Sequence, residues 1–224
     1  MKTQPPAAIV FDFDGVIVDS ETAANRALAD MLCGIGLPTT VEESLALYCG
    51  HRWSDCLALI ERNLGRPLPD DFRDRYSALA RPILDREMTA VTGIAAFLDD
   101  HCHLPLAIAS SSTVDWLHHC LSRFALDHYF GGHVYSATGL ERGKPHPDIY
   151  LHAAAQLNVD PRRMVVIEDS VIGASAGVAA GAMVIGFAGA SHVRAGHAER
   201  LRAAGVHHVA ADFAQAAQII ASLG

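Results

Sequence analysis

Residues 7–11, Ala7-Ala8-Ile9-Val10-Phe11, are apolar without interruption after Pro5-Pro6 and stop at Asp12, the pattern of a strand covered on both faces. Two later runs end in the same way: Leu106-Ala107-Ile108-Ala109 stops at three serines, and Met164-Val165-Val166-Ile167 stops at Glu168-Asp169-Ser170. Val134-Tyr135-Ser136-Ala137, Met183-Val184-Ile185-Gly186 and His208-Val209-Ala210 read as shorter strands. Between them the spacing predicts helices over residues 93–100, 114–124, 148–157 and 172–180, with Gly181 stopping the last. Residues 20–88 break this alternation. A polar helix is predicted over 20–32, Gly34, Gly36 and Pro38 punctuate it, and helical patterns follow over 41–49, 53–64 and 70–84, with no strand among them. Strands alternating with helices predict an α/β fold, a Rossmann-like doubly wound parallel sheet with right-handed crossovers. The expected division is a core of residues 1–19 and 89–224 and an inserted helical cap of residues 20–88. In such sheets ligands sit beyond the carboxyl ends of the strands, where Asp12, Ser110 and Asp169 would converge.

Length and charge narrow the picture. A chain of 224 residues that is half hydrophobic can bury a full core with room for one insertion. Seventeen lysines and arginines against 25 acidic residues give a net charge of -8, so nucleic acid is an unexpected partner. No apolar run reaches the ~20 residues a membrane helix needs, and a soluble protein with no membrane partner is expected. The absence of an obvious exposed apolar stripe suggests a monomer. Five cysteines, an odd number with no C-x-x-C pair and no secretory leader, suit reduced thiols in a cytoplasm.

The chemistry lies at the strand ends. Asp12-Phe13-Asp14-Gly15 sets two carboxylates two residues apart where a buried strand gives out, and Gly15 marks a turn that frees the second for a different task. One nucleophile and one proton carrier would suit that arrangement; an Asx-turn would also explain it. Glu168 and Asp169 bring two more carboxylates to the same edge, and such crowding raises pKa values unless a cation neutralises it. Magnesium, a hard ion held by few carboxylates plus phosphate, is the candidate. Ser110 offers a hydroxyl and loop amides to an anion beside a helix start, while Ser112 and Thr113 read as caps of that helix. Lys144, in Gly143-Lys144-Pro145-His146-Pro147, is a rigidly presented ammonium. Gly173 and Gly177 read as packing glycines. The 13 histidines lack the spacing of a zinc-binding helix, so solvated or helix-surface histidine is the expectation. Neither a P-loop nor a G-x-S-x-G elbow is present.

Taken together, Asp12-Phe13-Asp14-Gly15-Val16, Ser110, Lys144-Pro145 and Glu168-Asp169-Ser170 resemble, in order and spacing, the four motifs of the haloacid-dehalogenase-like hydrolase superfamily. The resemblance spans nearly the whole chain and points to the subgroup with a small helical cap, which includes sugar-phosphate phosphatases and beta-phosphoglucomutases. It implies that Asp12 attacks phosphorus to form an aspartyl-phosphate, and that Asp14 protonates the leaving oxygen and then deprotonates water. It further implies that Ser110, Ser111 and Lys144 bind the phosphoryl group. Mg2+ would be held by Asp12, the backbone carbonyl of Asp14 and Asp169, with Glu168 directly or through water. Dehalogenases of the family lack an aspartate where Asp14 stands, so phosphoryl transfer from a small phosphorylated metabolite is expected. Ala24 occupies the place where beta-phosphoglucomutase-like members carry a cap histidine, which favours phosphatase over mutase. In the cap, His51 and Arg52 stand where relatives place a basic residue for the substrate's remote anion. A binding module without turnover is the non-enzymatic alternative, and Gly15 with residues 91–93 are candidate hinges for cap motion.

Overall fold

A computed structural model describes residues 5–224. The chain begins with Ala8–Phe11 (β1) and Val18–Asp19 (β2), then passes through four helices, Glu21–Gly34 (α1), Val41–Tyr48 (α2), Trp53–Leu64 (α3) and Phe72–Glu87 (α4). Thr89–Ala90 (β3), Ile94–His101 (α5), Leu106–Ser110 (β4), Val114–Arg123 (α6), Val134–Ser136 (β5) and Asp148–Leu157 (α7) follow. Met164–Glu168 (β6), Val171–Ala179 (α8), Met183–Phe187 (β7), His197–Ala203 (α9), His208–Ala210 (β8) and Phe213–Ser222 (α10) complete it.

Every residue of β1 is buried, because its two faces enter two cores: Ile9 and Phe11 face one, Ala8 and Val10 the other. A strand without a polar side belongs in the middle of a sheet. The six strands run in the order β5-β4-β1-β6-β7-β8, all parallel, as the sequence pattern requires. On one face Phe97, Leu117 and Phe213 bring α5, α6 and α10 against Ile9, Phe11 and Ile167. On the other, Tyr150, Ala174 and Leu201 bring α7, α8 and α9 against Val10 and Val166. Each large apolar side chain buried in this way contributes roughly 1.5–3 kcal/mol, so both helix layers hold the sheet between them. Gly177 permits the close approach of α8: a methyl group there would stand 2.9 Å from Val184 Cγ2 and 3.3 Å from Val166 Cγ1.

Helices α1–α4 have a separate cluster, with Leu28, Leu32, Tyr48, Ile60 and Phe72 at its centre, and Trp53 stacked on Tyr76 with ring centroids 4.6 Å apart. The chain leaves and re-enters the sheet through β2 and β3, which pair antiparallel with Val18 opposite Ala90 and Asp19 opposite Thr89. Two residues per strand give no periodicity to read, and the sequence pattern did not reveal this pair. Helices α9 and α10 were also not anticipated. In α10 the Asp212 side chain accepts from Gln215 N, a cap contributing about 1 kcal/mol, and Phe213, Ala216 and Ile220 turn inward, a stripe diluted by alanine. Strands β4 and β6 run one residue further than their apolar stretches, since Ser110 pairs with Ser136 and Glu168 with Gly186. Polar strand ends are therefore held in the sheet itself. Among the described residues no helix is long and apolar enough to cross a membrane.

Candidate active site

The carboxyl ends of β1, β4 and β6 bring Asp12, Ser110, Glu168 and Asp169 together, each at most 4% exposed. Lys144 reaches the same point from the loop before α7 with a side chain wholly removed from solvent. Its ammonium donates to Asp12 Oδ1 at 2.8 Å and to Glu168 Oε2 at 2.7 Å. Glu168 is fully committed: Oε2 also accepts from the Tyr150 hydroxyl at 2.6 Å, and Oε1 accepts from Ser170 N at 3.0 Å and Ser170 Oγ at 2.8 Å. Gly173 makes room for this carboxylate, for a methyl group there would lie 2.0 Å from Glu168 Oε2. Its freedom from a side chain thus serves the site as well as helix packing.

Asp169 is the opposite case. Both of its oxygens are buried without a hydrogen-bond partner, although His192 Nε2 stands 3.0 Å from Oδ2 in a geometry that makes no hydrogen bond. Burial raises the Asp169 pKa well above the carboxylate range and the Glu168 charge adds to it. Asp12 is raised likewise, by burial and then Glu168, against the pull of Lys144. Burial would raise Glu168 too, but Lys144 and the hydrogen bonds of Tyr150 and Ser170 bring it below its ordinary value. Burial works against the charge on Lys144, yet Asp12 and Glu168 hold its pKa well above the usual lysine value. One ammonium faces three carboxylates. Ligand oxygens of Asp12, Glu168 and Asp169 lie within 4.8 Å of one another, and the two unpartnered oxygens of Asp169 are what a hard divalent cation satisfies. Because the Glu168 oxygens are taken by four donors, Asp12 and Asp169 are the carboxylates left to hold such an ion.

Asp14 is set apart by the turn at Gly15, whose φ is +83° and which a methyl group would jam against Asp169 Oδ2 at 2.0 Å. Ser20 Oγ donates to Asp14 Oδ1 at 2.7 Å and Ser112 Oγ to Oδ2 at 2.6 Å. Both hydroxyls fix the carboxylate, and neither role is legible from local sequence. Ser112 in particular is not the α6 cap it resembles; Thr113 occupies that position and makes no side-chain capping bond. Ser110 Oγ accepts from Ser112 N at 3.0 Å, leaving its own hydroxyl hydrogen for an anion.

The candidate ligands Ser111 and Arg52 are engaged elsewhere. Ser111 Oγ donates to the Gly50 carbonyl at 2.9 Å. Arg52 donates from Nε to Asp55 Oδ2 at 2.9 Å, from Nη2 to Asp55 Oδ1 at 3.2 Å and from Nη1 to the Leu140 carbonyl at 2.8 Å. Both side chains tie residues 50–55 to the sheet edge. His51 lines the cavity, where burial lowers its pKa against the opposing charge of Asp55 and leaves a neutral ring near pH 7. The expectation of solvated histidines fails at three positions: His101, His192 and His197 are buried, and His197 Nε2 donates to the Asp169 carbonyl at 2.7 Å. All five cysteines are free thiols.

Above Asp12 and Asp14 a cavity of about 770 Å³ opens between the sheet edge and α1, α3 and α4. The α4 side of its lining carries Arg73 and Arg81 beside Trp53 and Tyr76, and Trp116 lines it from α6. Arg81 lies over the Trp116 ring, 5.1 Å from its centroid, and pairs with Asp85 at 3.3 Å.

The family model of haloacid dehalogenase-like hydrolases matches residues 9–187. A 6-phosphogluconate phosphatase of Escherichia coli (strain K12) is 28% identical over 83% of this chain and 84% of its own. A haloacid dehalogenase-like protein from Agrobacterium tumefaciens strain C58 superimposes with a TM-score of 0.82 at 38% identity, covering 97% of this chain and 98% of that one. A family hydrolase from Deinococcus radiodurans R1, solved with bound phosphate and sodium, superimposes with a TM-score of 0.76 at 34% identity over 98% and 97% of the two chains.

Proposed function

The chain belongs to the haloacid dehalogenase-like hydrolase family, and on that premise we propose that it is a magnesium-dependent phosphatase of a small phosphorylated metabolite. The observation that carries the reading is the pairing of two differently held carboxylates at one strand end: Asp12 against Lys144, Asp14 between two serine hydroxyls. Asp12 attacks phosphorus, an Asp12–phosphorus bond forms, and the ester oxygen leaves with the bond electrons and a proton from Asp14. Asp14 then takes a proton from water, which attacks phosphorus, releases phosphate and restores Asp12. Lys144 spends two of its three donors on Asp12 and Glu168, and the third remains for a phosphoryl oxygen together with the Ser110 hydroxyl. Asp12, Asp169 and the Asp14 carbonyl would hold Mg2+, which supplies positive charge against the phosphoryl oxygens. Glu168 keeps Lys144 in place.

Residues 20–88 serve as the cap that covers this site, with β2 and β3 as its two crossings and Gly15 and residues 91–93 as hinges. The cavity suits a substrate of sugar-phosphate size, and Arg73 and Arg81 on its α4 side suit one with a second anionic group, such as a sugar-acid phosphate. The relative that acts on 6-phosphogluconate supports that choice. Ala24 lines the cavity with a methyl group, which supports phosphatase over mutase. The free thiols suit a reducing cytoplasm. Phosphate release from a panel of sugar, sugar-acid and short-chain phosphates, with Mg2+ and with chelator, tests the proposal. Metal-dependent release that Asp12→Asn abolishes is the expected result; release unchanged in that variant would refute the mechanism.

A further inference from the structure

The tip of the helical segment brings a thiol to the sheet edge. Cys49 follows α2, and its neighbour Gly50 is clamped on the sheet by the Ser111 hydroxyl at 2.9 Å. A methyl group on Gly50 would stand 2.6 Å from Ser170 Oγ, so the tip rests directly on the loop carrying Asp169. Here Cys49 Sγ, an Asp169 carboxylate oxygen and a His192 ring nitrogen lie within 4.8 Å of one another. His192 comes from the loop after β7 and is 6% exposed; its Nε2 stands 3.0 Å from Asp169 Oδ2 without forming a hydrogen bond, and neither ring nitrogen nor either Asp169 oxygen has a hydrogen-bond partner. A buried imidazole with a purely structural task finds a partner for its nitrogens. His197, packed edge-on against it with centroids 6.0 Å apart, does so on the Asp169 carbonyl.

We propose that Cys49, His192 and Asp169 form a second metal site, for zinc or a similarly thiophilic divalent ion, that joins the helical segment to the sheet. Sulfur, imidazole nitrogen and carboxylate oxygen are all donors that tetrahedral zinc accepts, and three protein ligands leave a fourth place for water; magnesium takes oxygen ligands. Binding releases the Cys49 thiol proton to solvent and forms the sulfur–metal bond. The surrounding carboxylates attract the ion, and nitrogen and sulfur ligands favour zinc over magnesium. The site shares Asp169 with the proposed magnesium site. Zinc therefore inhibits by taking a ligand from magnesium and by holding the segment closed.

Cobalt(II), titrated into the purified full-length chain without magnesium, is the first probe. One equivalent is expected to give a sulfur-to-cobalt charge-transfer band that Cys49→Ser abolishes and Cys33→Ser leaves intact. Zinc competition against a chromophoric chelator is expected to show at least a 100-fold loss of affinity in Cys49→Ser, beyond the roughly 10- to 100-fold that losing an outer partner costs. His192→Gln should weaken zinc similarly; if it fails to fold by circular dichroism, the Cys49→Ser comparison alone decides. No such band in the wild-type chain, the same band in Cys49→Ser, or equal zinc affinities would overturn the site. Because the readouts are a spectrum and an affinity, the site stands or falls independently of whether the chain releases phosphate.

Discussion

The sheet edge and the helical wall facing it hold their charges in opposite ways. At the edge, Lys144, Glu168, Tyr150 and Ser170 are buried and spend their hydrogen bonds on one another or on Asp12. On the wall, Arg73 is exposed and Arg81 rests on Trp116, so both can be redirected by a ligand. Fixed charges in a dry site are preorganised for a reaction, whereas loosely held ones select what enters. Under the proposed function the edge carries the reaction and the wall carries the selection. Substitutions at the edge should damage turnover and stability together, and those on the wall should change preference with little cost to folding.

The largest effect is expected at Asp12. Asp12→Asn is expected to lower kcat by at least about 10⁴-fold, as removal of a nucleophile does, in steady-state phosphate release. Lys144→Ala should come next, since it leaves the buried carboxylates of Asp12 and Glu168 without a countercharge, a destabilisation of about 3–5 kcal/mol readable by urea denaturation. A loss below about 1 kcal/mol would show that the edge is not the committed network described. Asp14→Asn is expected to cost about 10²–10⁴ in kcat for an alkyl phosphate and far less for an aryl phosphate, whose leaving group needs no proton. On the wall, Arg73→Ala should raise KM roughly tenfold, about 1.4 kcal/mol, for a substrate with a remote carboxylate and leave a neutral sugar phosphate unchanged. The smallest effect is chemical: burial pushes the Cys56 thiol up to about 12, so at pH 8 only about one molecule in 10⁴ carries the thiolate. Alkylation of the native chain followed by peptide mass mapping should label exposed Cys33 and Cys102 and spare Cys56.

The same contrast governs what the sequence discloses. An apolar run that stops at a carboxylate announces a central strand with a polar end, so the clustering of Asp12, Glu168 and Asp169 was legible, as was the parallel sheet. Lys144 was legible because prolines and a glycine confine it. Contacts between distant segments were not. Ser112 is 98 positions from Asp14, and Arg52 is 88 from Leu140, so nothing local distinguishes an orienting hydroxyl from a helix cap or a latch from a substrate ligand. His192 and Cys49 carry no motif, and only the fold brings them together beside Asp169. Pairs as short as β2 and β3 and an alanine-diluted stripe such as α10 fall below what periodicity can report.

In the proposed reaction a carboxylate oxygen of Asp12 takes the phosphoryl group. Rapid quenching of the enzyme during turnover of a phosphorylated sugar acid with Mg2+, followed by borohydride reduction and peptide mass spectrometry, tests it most directly. Reduction of Asp12 to homoserine only when substrate and metal are both present is the expected result. Phosphate release at full rate with Asp12 never modified would contradict it.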